Sequence, residues 1–229
     1  LVLQRAIYFE LKQPEKVTEV LEKMVRLFNK PKYWIQLAGM YGEVGQEKKQ
    51  MAVMESAWQA GYITKESDIS TLAQLYLYND IPYKGAFLME EAVDSGKVKR
   101  NLKTLEFIAQ AWMMAKETEK AIPVLASAAK LSDDGNNYAR LAEVLVNSEK
   151  WEAAIDASNK ALEKGGLKNE GNMYIAQGIA YFNMKSFDYS LASLKSAVSH
   201  KKVSKMAKQW SSYVEKEKLN HEQLAMLKQ

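Results

Sequence analysis

Apolar side chains recur every three to four residues along most of this chain, which is the spacing of one face of an α-helix. The stretch from residue 102 to residue 131 shows the pattern in two successive segments. Leu105, Ile108 and Trp112 mark the first segment, and Ala121 and Leu125 mark the second. Polar residues occupy the positions between them, so each segment predicts an amphipathic helix with one buried face.

These helix pairs recur with spacings of 33 to 36 residues. In each pair a small residue is followed three positions later by a large one, and a second small residue stands 19 positions after the first. The first small residues are Ala38, Ala73, Ala109, Ala142 and Gly178, the large ones are Tyr41, Tyr76, Trp112, Leu145 and Tyr181, and the second small ones are Ala57, Ala92, Ala128, Ala161 and Ala197. A fixed period of this length predicts stacked helix pairs. We therefore expect an all-α fold, a right-handed α-solenoid of antiparallel helix pairs with a C-terminal capping helix.

We expect one continuous array over residues 1–229, because no Pro-, Gly- or Ser-rich tract divides the chain. It contains a partial repeat, five full repeats, and a capping helix with a tail: 1–29, then 30–64, 65–100, 101–133, 134–169 and 170–201, then 202–229. The partial repeat lacks its opening, so we expect Leu1 to lie inside a repeat. A preceding segment would be the place for any signal peptide or membrane anchor.

A few positions depart from the repeat pattern. Pro123 lies about one turn inside a predicted second helix, where it predicts a mild kink or a later helix start. The other departures are Gln50, Gly85, Ser158 and Ser190. We expect these positions to set the local curvature of the stack.

The pattern resembles the tetratricopeptide repeat family over nearly the whole chain. The third full repeat carries the family's residues at Leu105, Ile108, Ala109, Trp112, Ala121, Leu125 and Ala128. The resemblance implies a superhelix whose first helices line a concave groove that binds proteins or peptides without catalysis. The exposed edges of the first helices give the candidate partner-binding residues: Gln74, Tyr78, Glu106, Gln110, Met113, Met114, Arg140, Glu143, Asn147, Ile179 and Asn183.

Composition disfavours several classes of function. The net charge is only +4, and nucleic-acid binding usually needs a concentrated basic patch, so no nucleic-acid partner is expected. Two local basic clusters exist: Lys97, Lys99, Arg100 and Lys103, and then Lys201, Lys202, Lys205 and Lys208 beside His200. We interpret both as solvated helix ends and loops, with an acidic partner surface as the alternative.

No catalytic or metal-binding motif stands out in the sequence. The chain has no cysteine, which excludes disulfides and thiolate chemistry. Its two histidines, His200 and His221, lie among lysines and lack the spacing of a zinc-protease helix. We therefore expect no enzymatic activity, no metal and no cofactor. No apolar run is long enough to predict a membrane-spanning helix.

The last hundred residues resemble a narrower group, the bacterial tetratricopeptide proteins associated with TonB–ExbB–ExbD energy transduction. The likeness rests on Asp133–Gly135, Tyr138–Leu141, Gly165–Gly166, Ala180–Asn183 and Gln209–Trp210. It implies a periplasmic scaffold that assists TonB-dependent uptake of iron–siderophores, with components of that complex as partners. Membrane association would then come only through partners or a missing N-terminal segment.

Three alternatives stay open. One is an envelope assembly or structural factor that self-associates or binds peptidoglycan, and another is a general adaptor of unknown pathway with a cytoplasmic location. The third, an RNA-binding helical repeat, is disfavoured because polar residues suited to reading bases are not regularly placed.

Overall fold

The computed structural model describes residues 1–227, and the regular secondary structure in that range is entirely helical. Its thirteen helices are α1 (Val2–Glu10), α2 (Pro14–Phe28), α3 (Pro31–Glu43), α4 (Glu47–Gln59), α5 (Glu66–Tyr78), α6 (Pro82–Asp94), α7 (Leu102–Met114), α8 (Thr118–Leu131), α9 (Asn136–Asn147), α10 (Trp151–Lys164), α11 (Gly171–Asn183), α12 (Phe187–Val198) and α13 (Ser204–Met226). The predicted all-α class, a solenoid of paired helices, is confirmed.

The described chain forms two compact units. The N-terminal unit runs from Leu1 to Arg100 and contains α1 to α6, and the C-terminal unit begins at Asn101 and contains α7 to α13. Within each unit, every helix packs against the next one along the chain. In the C-terminal unit the first helices α9 and α11 also touch each other directly.

The turn between the two helices of a pair has the same geometry in all six pairs. Each turn has three residues, and the middle one has a positive φ: Lys12, Gly45, Asp80, Lys116, Glu149 and Lys185. The third residue donates its backbone N–H to the carbonyl five residues earlier, as Gln46 does to Tyr41 at 2.7 Å. This is the Schellman end of a helix, which satisfies carbonyls that the helix leaves free. The second helix therefore always turns back at the same point.

The small residues of the repeat let the two helices of a pair approach closely. The second small residue is fully buried in all five full repeats. Gly178, the first small residue of the fifth repeat, packs directly against Leu194, because an added Cβ would lie 2.7 Å from Leu194 Cδ2 and would force that side chain to move. The large residue fills the remaining space, and Trp112 is only 1% exposed.

Pro123 lies inside α8, which begins at Thr118 and continues to Leu131. The prediction of a later helix start at this proline is therefore wrong. Lys120 and Ala121 both donate their N–H groups to Glu117 O, so the first turn is complete before Pro123 is reached. The proline side chain is exposed and leaves one carbonyl without its helical donor. The mild kink stays a prediction.

Candidate functional site

The N-terminal halves of α7, α9 and α11 border an open cleft of about 600 Å³ in the C-terminal unit. These are the first helices of the third, fourth and fifth full repeats. The side chains along the cleft are Leu102, Glu106, Ser132, Asp133, Asp134, Asn136, Asn137, Ala139, Arg140, Glu143, Leu167, Lys168, Asn169, Asn172 and Met173. The cleft is therefore bordered by acidic and basic side chains and by asparagine amides, together with apolar side chains such as Leu102 and Met173.

The loop before α9 is held in place by Asp134. Its carboxylate accepts the backbone N–H of Asn136 at 2.9 Å and the hydroxyl of Ser132 at 3.3 Å. These hydrogen bonds, with the backbone one foremost, lower the pKa of Asp134 below its ordinary value. The carboxylate therefore stays ionised at neutral pH and holds the first turn of α9 in the cleft wall.

A close backbone approach brings the loop after α10 against the start of α9. Gly135 donates its N–H to Gly165 O at 2.7 Å, and an added Cβ on Gly135 would lie 2.2 Å from Ala161 O. Only glycine fits this position. Asn136 then bridges to the same loop, because its amide donates to Gly166 O at 3.0 Å and accepts from the Lys168 N–H at 3.2 Å.

A hydrogen bond joins α7 and α9 across the cleft. The Asn137 side-chain amide donates to Glu106 Oε1 at 2.9 Å, and Asn137 is buried. The loop before α11 is held to that helix by Asn169, whose side-chain amide donates to Asn172 Oδ1 at 2.9 Å. The cleft walls are therefore tied together before any ligand arrives.

Arg140 and Lys168 are the two cations that border this cleft, and Arg140 lies on α9 in its wall. The Arg140 side chain is half-buried, and within residues 1–227 it forms neither an ion pair nor a hydrogen bond. Glu143 lies three residues further along α9 and is exposed. A guanidinium without a carboxylate partner can donate two parallel hydrogen bonds to an incoming carboxylate.

The N-terminal unit has its own cleft, of about 550 Å³, between α1, α2 and α3. Arg5 donates from Nη1 to Gln36 Oε1 at 3.1 Å across it, and Glu10 and Glu43 lie at its edge. Its apolar floor includes Met40. The sequence prediction placed no site residue here.

Within the range that the structure describes, no group of three or more metal-ligating side chains comes together. The described helices also include none that is long and apolar enough to cross a bilayer.

Comparison with solved structures identifies the fold. MamA (AMB-1) is similar over 73% of this chain and 89% of its own, with a TM-score of 0.56 and 20% identity. YrrB, described as a TPR protein with an unusual peptide-binding site, is similar over 80% of this chain and 92% of its own, with a TM-score of 0.56 and 15% identity. The fold is that of the tetratricopeptide repeat. A second structure of MamA is similar over 78% of this chain and 94% of its own, with a TM-score of 0.56 and 19% identity. No family model and no curated protein sequence matches the chain.

The tetratricopeptide cleft of the C-terminal unit brings together three of the predicted site residues: Glu106, Arg140 and Glu143. Further along the same first helices, Gln110, Met114 and Asn147 are exposed and Met113 is half-buried, outside the residues that border the cleft. On α11, Ile179 packs against a hydrophobic cluster, and Asn183 uses its amide to cap Ile179 O at 2.9 Å.

The two predicted residues of the N-terminal unit lie on α5. Gln74 is exposed, and Tyr78 is 79% exposed. Tyr78 borders an open depression with the turn residues Gly45 and Asp80. Partner binding by any of the predicted residues stays a prediction.

Sequence reasoning missed the asparagines of the tetratricopeptide cleft: Asn136, Asn137, Asn169 and Asn172. The first pair follows Asp133, Asp134 and Gly135, residue types that are typical of a turn between repeats. The sequence feature that could have indicated them is the pair of adjacent asparagines, Asn136 and Asn137, at the start of a predicted first helix. Amides placed there can hydrogen-bond the backbone of an extended ligand.

Proposed function

We propose that this chain is a non-catalytic interaction protein that binds an extended segment of a partner protein in the cleft of α7, α9 and α11. The observation that carries the proposal is Arg140, a half-buried side chain at the edge of a preformed cleft, whose guanidinium forms no hydrogen bond or ion pair within the described residues. Such a guanidinium is available to a ligand carboxylate, and a bidentate pair of this kind adds both binding energy and geometric specificity.

The remaining side chains suit a peptide. Asn172 and Glu143 supply a donor and an acceptor for backbone groups, and Leu102 and Met173 supply apolar contacts. The fold itself supports this use, since YrrB is described as having a peptide-binding site on the same fold. A cleft of this size accepts a few residues of an extended chain rather than a folded domain.

We further propose that the partner belongs to a TonB-dependent transport system and that the chain works in the periplasm as an accessory of that system. The support is the resemblance of the last hundred residues to tetratricopeptide proteins associated with TonB–ExbB–ExbD. The cleft residues on α9, on α11 and in the loops before these helices lie within this part of the chain.

A peptide-display selection tests the cleft itself. Peptides selected on the immobilised full chain should carry a carboxylate, and Arg140→Ala should weaken their binding about tenfold or more, because a hydrogen bond to a charged group contributes about 1.5–3 kcal/mol. The matched control is Lys130→Ala, which removes an exposed charge from α8. Equal affinity for the native chain and the Arg140→Ala variant would contradict binding in this cleft.

A separate measurement tests the pathway. Isothermal titration of the purified periplasmic domains of TonB and ExbD into the full chain should show binding that Arg140→Ala weakens and Lys130→Ala does not. If selected peptides bind the cleft and neither domain binds the chain, the TonB assignment is wrong and the interaction function stands.

A further inference from the structure

The stretch between Asp188 and Glu215 contains no acidic residue. It covers most of α12, the turn after it and the first half of α13. Its five lysines are all exposed: Lys195, Lys201, Lys202, Lys205 and Lys208. We call these five residues the lysine face.

The lysine face is not neutralised by the rest of the chain. Within residues 1–227 none of its lysines forms an ion pair or a hydrogen bond. Of the acidic residues near these lysines, Asp188 is paired with Lys218 at 2.5 Å, Glu170 is exposed just before α11, and Glu215 is exposed on α13 seven residues after Lys208. The first turn of α13 has no acidic residue and no side-chain cap, so the positive end of its helix dipole adds to the positive field, although Ser204 donates its N–H to His200 O.

Exposed apolar side chains accompany the lysines on α13. Met206 is 42% exposed and Tyr213 is 49% exposed. They are seven residues, or two helical turns, apart and therefore lie on the same side of the helix. Val203, Ala207 and Val214 are buried and mark the core side of α13. The ring of Tyr213 also packs against Phe182 and Trp210 at 5.3 and 5.9 Å between ring centres, so only its outer edge is exposed.

We propose that the lysine face binds the surface of an anionic membrane, as a contact beyond the peptide cleft. Lysines lack the fork geometry that recognises individual phosphates, and the stretch has no arginine, which favours attraction to a diffuse negative surface. Met206 and Tyr213 can enter the interface while the lysine ammonium groups stay among the headgroups.

Vesicle co-sedimentation tests this proposal with the full chain. Vesicles of phosphatidylcholine and phosphatidylglycerol should bind the chain, and vesicles of phosphatidylcholine alone should not. Binding should disappear at about 1 M salt, where the Debye length falls to about 3 Å. Replacing Lys201, Lys202, Lys205 and Lys208 with Gln should reduce binding more than about 100-fold, since each lysine contributes about fivefold.

The matched control changes the net charge by the same amount elsewhere in the C-terminal unit. It replaces Lys103, Lys116, Lys130 and Lys185 with Gln, all of which are exposed. Circular dichroism must show both variants folded. Equal loss in the two variants, or no binding of the native chain to anionic vesicles, would overturn the proposal. Binding to RNA or poly-glutamate without binding to vesicles would overturn it as well. Peptide affinity in the cleft should be unchanged in the lysine-face variant, which keeps this test separate from that of the proposed function.

Discussion

The large residue of each early repeat contacts a carboxylate on one side and a lysine on the other. The hydroxyl of Tyr41 on α3 donates to Glu22 on α2, and the ammonium of Lys49 on α4 lies 5.4 Å from the centre of the Tyr41 ring. The second repeat has the same arrangement at Tyr76, Glu55 and Lys84, where Lys84 also pairs with Glu55 at 2.6 Å. Each such tyrosine therefore connects three successive helices.

These contacts determine how the tyrosines titrate. Burial, followed by the hydrogen bond to Glu22, raises the pKa of Tyr41 from 10.0 to about 12. Burial and Glu55 raise the pKa of Tyr76 as well. Because the folded state favours the protonated phenol, the stabilisation from Tyr41 is complete below pH 10 and is lost as the pH rises toward 12.

Replacing Tyr41 with Phe should lower the free energy of unfolding by about 2 kcal/mol at pH 8, because the ring stays and a hydrogen bond to a charged group is lost. Urea unfolding followed by circular dichroism measures this difference. It should shrink as the pH rises from 10 toward 12, since the phenol of the unfolded chain ionises in this range while the native phenol is still protonated, which favours unfolding. Tyr78→Phe is the control, because Tyr78 is 79% exposed and its change should stay within about 0.5 kcal/mol. A difference that is constant from pH 8 to pH 12 would contradict the explanation.

At the scale of helices, two departures from the repeat, Gln50 and Gly85, belong to the same contact between the two helices of a pair. In the first full repeat an added Cβ on Gly42 would lie 2.8 Å from Gln50 Nε2. In the second, an added Cβ on Gly85 would lie 2.4 Å from Leu77 Cδ1. The two pairs occupy equivalent positions, 35 residues apart. A large residue on one helix thus faces a glycine on the other, and the helix that carries the glycine differs.

Gly85→Ala should destabilise the chain by about 1–3 kcal/mol, because the new methyl group displaces Leu77 and also lies 3.0 Å from the backbone oxygen of Ala73. Combining it with Leu77→Ala should cost less than the sum of the two single changes by about 0.5 kcal/mol or more. Chemical unfolding of the four variants of the cycle measures this coupling.

The control for this cycle is Gly39→Ala. An added Cβ on Gly39, inside α3, meets nothing within 4 Å. This change should stabilise the chain by about 0.5–1 kcal/mol, because alanine favours a helix more than glycine does. Strict additivity of Gly85→Ala and Leu77→Ala would show that the two side chains do not share one space.

The sequence predicted the helix pairs because their packing repeats, and a repeated contact leaves the same small residue at the same spacing. From the sequence, Gln50 and Gly85 were recognisable only as departures from the repeat pattern. Their roles depend on Gly42 and Leu77 on the other helix of each pair, and these contacts are visible only in the packed structure.

The cleft residues could also be predicted only in part. Glu106, Arg140 and Glu143 follow from their positions on first helices, whereas Asn137 and Asn172 border the cleft through contacts with Glu106 and Asn169. Such contacts between helices and loops have no fixed spacing in the sequence.

At the scale of the whole molecule, the stability of stacked repeats is approximately a sum over neighbouring units. The two ends of the described chain contribute least to this sum. α1 contains no buried residue, and in α13 the last buried residue is Val214. In contrast, Ile69, Leu72 and Ala73 on α5 are fully buried. Local opening should therefore start at α1 and at the second half of α13.

Hydrogen–deuterium exchange followed by mass spectrometry measures this gradient. Amides of α1 and of the stretch from residue 215 to residue 227 should exchange first, and those of α5 and α7 should exchange last, since exchange follows the free energy of local opening. Adding urea below the unfolding transition should accelerate the slow helices toward a common rate within each unit while the ends change little. Equal protection across all thirteen described helices would contradict this expectation, because it would mean that the repeats open only together. The lack of buried residues in α1 is the reason to expect early opening there.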